Sequence, residues 1–167
     1  MFLNQLSIAK RLACVLGLIL SLSLLTSLFA VFKLRQMGEV TDAMLAVNLK
    51  KFGIETSFVD ATDPKAWEAA IRPNTKAVLI ETPSNPVLEI TDIRAVSELA
   101  HAVGAKVVVD NVFATPIFQK PLELGADVVV YSATKHIDGQ GRVLGGAILT
   151  SEAINEEFYR DSLRHTG

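Results

Sequence analysis

Hydrophobic and polar positions divide the chain into two unlike parts. Between Arg11 and Lys33 the run LACVLGLILSLSLLTSLFAVF carries no charged residue. A bilayer core is crossed by about 20 apolar helical residues, so the pattern predicts a membrane-spanning helix over residues 12–32. The run exceeds the ~7–15-residue apolar core of a cleaved signal peptide, and SLFAVFKLRQM is a poor cleavage site. Lys10 and Arg11 on one flank match Lys33 and Arg35 on the other, so charge sets no orientation. Residues 1–50 are therefore expected to form an anchor and linker, ending between Leu45 and Phe52.

From Lys51 to Gly167 helical and strand-like patterns alternate. DPKAWEAAIRPNT predicts a helix with Asp63 as N-cap, Pro64 at the first helical position and Pro73 beyond its end. KAVLIETPSNP predicts a strand closing on a proline-bracketed turn. TDIRAVSELAHAVG predicts a helix starting at Thr91 or Asp92, with Gly104 just past its end. AKVVVDN is a second strand, and TPIFQKPLELG a short helical or irregular connection ending at Gly125. ADVVVYSATK and GGAILTS are a third and fourth strand, followed by a helix over EAINEEFYRDSLRHTG. The continuous Val/Leu/Ile runs suggest strands covered on both faces. Helices between strands point to parallel neighbours. Only a glycine-rich loop joins Ala126–Tyr131 to Gly145–Thr150, and periodicity leaves the direction of that pair open. The fold class expected is α/β, a mostly parallel sheet with flanking helices, preceded by one transmembrane helix.

Composition narrows the picture modestly. A length of 167 residues accommodates one domain with a real core. A net charge of −2 gives no nucleic-acid footprint. The single cysteine, Cys14, excludes a disulfide framework within the chain.

Ligands of open α/β sheets collect at the carboxyl ends of the strands. The polar residues there are Glu81, Asn85, Asp110, Asn111, Ser132, Thr134 and Lys135. Singly, each has an ordinary reading: Asp110 caps a turn, Asn85 forms one, Ser132 and Thr134 are turn residues, and Lys135 is a solvated lysine. Together they match the needs of pyridoxal 5′-phosphate. Its cationic ring nitrogen wants a buried carboxylate, its aldehyde a lysine amine, and its phosphate hydroxyls and N–H groups.

ETPSNPVLEITDI, VVVDNVFATP and VVVYSATKHIDGQGRVLGG resemble, in order and spacing, the Cys/Met-metabolism (trans-sulfuration) family of pyridoxal-phosphate enzymes. The resemblance covers residues 51–167 and implies part of the large cofactor-binding domain of fold-type I enzymes. KHIDGQGRVLGG looks most like the O-succinylhomoserine sulfhydrylase branch, since lyase-type members usually carry Gly-His where this chain has Gly139-Gln140-Gly141. The resemblance implies Lys135 as the Schiff-base lysine and proton carrier, and Asp110 on the pyridine nitrogen. Ser132 and Thr134 would bind phosphate and Asn85 the phenolic oxygen; Glu81 has no derivable role beyond ordering the turn. The implied reaction is γ-replacement on a small amino-acid substrate, O-succinylhomoserine, with sulfide to give homocysteine. A cystathionine γ-synthase or γ-lyase reaction is the alternative.

LSIAKRLACVLGLIL followed by VFKLRQMGEVTDAM resembles the N-terminal membrane segment of bacterial chemoreceptors over residues 1–47, implying a fusion. The enzyme family is cytoplasmic and homo-oligomeric, whereas residues 12–32 imply a single-pass membrane anchor. A complete member adds an arm lending Arg and Tyr to its neighbour's phosphate. It also adds an earlier turn with a ring-stacking tyrosine, and a C-terminal domain with an arginine for the substrate carboxylate. The chain is expected to keep about the middle of the cofactor site and to lack turnover, which leaves a non-catalytic, membrane-anchored remnant as a further alternative.

Overall fold

The computed structural model describes residues 47–160, divided into two units between Phe58 and Val59. The helix expected over 12–32 lies outside the described residues, as does nearly all of the chemoreceptor-like stretch. Among the described residues no helix is long and apolar enough to cross a membrane. Of the first unit, residues 47–50 form a helical turn, closed where the Gly53 N–H donates to the Lys50 carbonyl at 3.0 Å.

The second unit follows the predicted order. Helix α1 (Pro64–Ala70) starts where Asp63 accepts the Lys65 N–H at 2.9 Å, and Pro64 fills a position whose N–H has no helical acceptor. Its Trp67 is buried, with the indole N–H donating to the Ala61 carbonyl at 3.2 Å. Strand β1 (Ala77–Glu81) leads to α2 (Ile93–Ala102), capped by Asp92, which accepts the Ala95 N–H at 3.1 Å. Gly104, at φ 76°, ends that helix as a left-handed residue. Ile93, Val96, Ser97 and Ala100 make the stripe that α2 buries, the spacing of one helical face.

Strand β2 (Lys106–Asp110) is followed by the single turn α3 (Thr115–Phe118), a 3₁₀ turn (Pro121–Leu124) and β3 (Val128–Ser132). A wide helical turn (Ala133–Ile137), β4 (Gly146–Thr150) and α4 (Glu152–Phe158) complete the unit. The sheet order is β1-β2-β3-β4; the first two pairings are parallel and β3–β4 is antiparallel. The direction left open by periodicity follows from the loop. With no helix to carry the chain across the sheet, it returns from the edge at which it left.

Two-sided coverage of the strands is corrected. One face packs Val78, Ile80, Val107, Val109, Val129 and Tyr131 against Trp67, Ile93, Val96 and Ala100. On the other, Val128 is buried and Val108 and Val130 are half-buried, but Leu79 and Ile148 are 66% and 60% exposed. The apolar runs are those of a sheet suited to two covering layers; the described residues bury one face over β1–β3, while Leu149 on that face of β4 stays 42% exposed.

Candidate active site

Strands β1, β2 and β3 end at one edge of the sheet. Glu81 and Asp110 are register partners, and Asp110 in turn pairs with Val130. Side chains alternate faces along a strand, so Glu81, Asp110 and Ser132 all stand on the incompletely covered face. Of the seven strand-end residues expected to converge, these three share that face, whereas Asn111 turns to the core face and bonds Tyr131.

Asp110 is half-buried, and its Oδ1 accepts the Val112 N–H at 3.0 Å. It thus does hold a turn, and its Oδ2 has no donor among the described residues. Glu81 acquires a role: its Oε2 accepts the Asn85 N–H at 3.1 Å and ties the turn after β1 to the strand end. Ser84 fastens the same loop, its Oγ accepting the Glu89 N–H at 3.0 Å. Asn85 stands exposed on that turn.

Beyond Ser132 the chain makes its wide turn, closed by the Asp138 N–H on the Ala133 carbonyl at 2.9 Å. Lys135, at φ −87° and ψ −117°, departs from helical geometry inside that turn. The turn is pinned to the head of β4, where the Ala133 N–H donates to the Gly145 carbonyl at 2.8 Å and Thr134 Oγ1 accepts the Gly145 N–H at 3.3 Å. Behind it, Asp138 accepts the Arg142 N–H at 2.8 Å, with Gly139 and Gly141 at φ 72° and 65° in the loop between. Lys135 is exposed and forms no salt bridge among the described residues.

The residues present fit pyridoxal phosphate by their chemistry. Asp110 has an oxygen suited to a protonated ring nitrogen, Lys135 an amine for the aldehyde, and Ser132 and Thr134 hydroxyl protons for phosphate oxygens. Three further residues were not assigned roles from the sequence. Asn111, 0% exposed, donates from Nδ2 to Tyr131 Oη at 2.8 Å and accepts from Gln119 Nε2 at 2.7 Å. Gln119 also donates to the Thr82 carbonyl at 3.0 Å. The one available signal was the place of Asn111 among the polar residues at the strand ends, directly after Asp110 in VVVDN.

Residues 22–167 match the family described as Cys/Met metabolism PLP-dependent enzyme. The match begins ahead of Lys51, where the change of hydrophobic pattern places the boundary. O-succinylhomoserine sulfhydrylase of Mycobacterium tuberculosis is 58% identical over 119 residues, 71% of this chain and 29% of its own. Cystathionine gamma-lyase of Bacillus subtilis is 49% identical over 112 residues, 66% of this chain and 30% of its own. Among solved structures, cystathionine gamma-lyase from Lactobacillus plantarum, complexed with L-serine, superposes with a TM-score of 0.65 at 44% identity. It covers 70% of this chain and 31% of that one. The chain therefore spans under a third of the length of these relatives.

Proposed function

Because the chain belongs to the Cys/Met metabolism PLP-dependent enzyme family, we propose that its strand-end residues form part of a pyridoxal-phosphate site for sulfur amino-acid chemistry. The observation that carries the reading is Asp110 and the Ser132–Lys135 segment at neighbouring strand ends on one edge of the sheet. Bound there, the cofactor supplies an electron sink for carbanions of an amino-acid substrate.

In this reading Lys135 Nζ would hold the cofactor by its aldehyde and would be the base that takes protons from the substrate Cα and Cβ. Asp110 Oδ2 accepts the ring N–H, and Ser132 and Thr134 donate to phosphate. The Asn85 side chain donates to the phenolic oxygen, placed by the bond from its backbone N–H to Glu81. The reaction favoured is γ-replacement: the Cγ–O bond of O-succinylhomoserine breaks, succinate leaves, and sulfide forms the Cγ–S bond of homocysteine. The Gly139-Gln140-Gly141 turn and the 58% identity to the mycobacterial sulfhydrylase support that branch. The 49% identity to the Bacillus γ-lyase supports a lyase-type reaction as the second reading. Homo-oligomeric assembly and anchoring through residues 12–32 are further parts of the proposal.

The full chain mixed with pyridoxal phosphate should develop the near-visible absorbance of a lysine-bound cofactor, and Lys135→Ala should abolish it. No absorbance, or none lost in the variant, overturns the cofactor site. The change in absorbance of the cofactor-loaded chain on adding O-succinylhomoserine, set beside that on adding cystathionine, separates the two branches. Membrane fractionation with and without residues 1–33 tests the anchor.

A further inference from the structure

The strand ends that carry the candidate site are joined beneath it by a buried polar bridge. We infer that Gln119, Asn111 and Tyr131 are positioning residues that fix the ends of β1, β2 and β3 relative to one another. They thereby hold Asp110 in place against the turn that bears Lys135. The inference rests on the pyridoxal-phosphate reading above for what is being positioned.

Gln119 spends both hydrogens of its amide on this bridge, one on the Thr82 carbonyl at 3.0 Å and one on Asn111 Oδ1 at 2.7 Å. It thus spans the end of β1 and the end of β2. The backbone bond beside it is long, with Thr82 N–H 3.5 Å from the Asp110 carbonyl, so the side chain supplies a link the ladder provides weakly. Asn111 Nδ2 faces the carbonyls of Thr115 at 3.2 Å and Gln119 at 3.0 Å, and reaches Tyr131 Oη at 2.8 Å. Carbonyls only accept, so this amide has one orientation available, and its two hydrogens serve three acceptors.

Tyr131 extends the bridge to β3. Its ring is buried on the core face, while Ser132, the next residue, faces the other side. The ring meets His136 edge-on, with centroids 5.9 Å apart, and His136 follows Lys135. Thr115 shows how strongly the segment is held. A β-branched residue at φ 61° is a backbone outlier. Asn111 engages both of its peptide groups, the Thr115 N–H donating to the Asn111 carbonyl at 3.0 Å. None of the three bridging side chains is on the face that carries Asp110. They act through it, where reacting groups need placement to within about 0.5 Å.

Amide exchange of the cofactor-free full chain tests the bridge directly. Tyr131→Phe removes one hydroxyl and keeps the ring; Gln119→Ala removes the β1–β2 link. Each should raise exchange at the Asn111 and Ala133 amides roughly fivefold, the scale of one lost hydrogen bond, and leave Val96 and Val107 unchanged. If Gln119→Ala does not fold, Tyr131→Phe alone decides. Unaltered exchange, or an equal rise throughout, overturns the bridge. In chain loaded with pyridoxal phosphate, the pH midpoint of the near-visible absorbance should move in Tyr131→Phe; local exchange with an unmoved midpoint overturns the positioning role. If wild type and Lys135→Ala both lack absorbance, the cofactor reading falls, and the exchange pattern still decides the bridge.

Discussion

Asp127 Oδ2 lies 2.8 Å from His101 Nε2, joining the start of β3 to the last turn of α2. The same oxygen accepts the Val107 N–H at 2.8 Å, and Oδ1 meets Lys106 Nζ at 3.0 Å. One carboxylate thus fastens two strands and a helix at the edge opposite the site.

Burial at this edge pushes the Asp127 carboxyl up, but the Val107 N–H, His101 and Lys106 together hold it below its ordinary value. A carboxyl depressed in the folded state contributes stability above its unfolded pKa of about 3.9 and loses it as pH falls through the folded value. The urea concentration needed to unfold the wild type should therefore fall as pH drops below about 4. Asp127→Ala should lose about 1–3 kcal/mol at pH 7 through the unpaired Val107 N–H and the broken ion pair, and show a flatter acid dependence.

Gly125 sits at φ 107°, and a Cβ there would lie 2.8 Å from Ser97 Cβ. Gly125→Ala should cost about 1–3 kcal/mol in chemical denaturation, from backbone strain and overlap with α2. Because the clash is with Cβ, Ser97→Ala should fail to relieve it; Ser97→Gly should relieve part.

Removing Glu81 unties the turn after β1. Glu81→Ala should lower stability by about 0.5–1.5 kcal/mol, since one exposed hydrogen bond is lost. It should weaken pyridoxal-phosphate binding several-fold in a spectroscopic titration. Unchanged binding would separate the turn from the cofactor site.

Asp110→Asn keeps an oxygen for the Val112 N–H and loses the charge. Cofactor affinity should drop about 10- to 100-fold, the worth of a hydrogen bond to a charged group. The stability of the cofactor-free chain should change little.

Local chemistry was legible wherever one residue decides one feature. Asp63 caps the helix it was expected to cap, Asp92 is the one of the two expected candidates that caps α2, Gly104 ends α2, and the strand ends carry the residues singled out there. Where a feature depends on distant groups, the sequence was silent. The Gln119 amide lies in an irregular connection and meets Thr82, 37 positions away, a contact no periodicity encodes. The left-handed Thr115 contradicts the preference of its own residue type and exists because Asn111 holds it. The exposed face of β1 and β4 escaped because apolar composition states what a strand tolerates, whereas coverage depends on what lies above it.

Strand β3 has Asp127 just ahead of one end and Ser132 at the other. Its five residues span about 16 Å, roughly twice the screening distance of ~8 Å in physiological salt. At that separation, and with Lys106 and His101 against it, the Asp127 carboxylate acts only weakly on the edge where Lys135 stands. Acid tolerance and the protonation of the reacting groups can therefore drift independently, each adjustable by substitution without retuning the other.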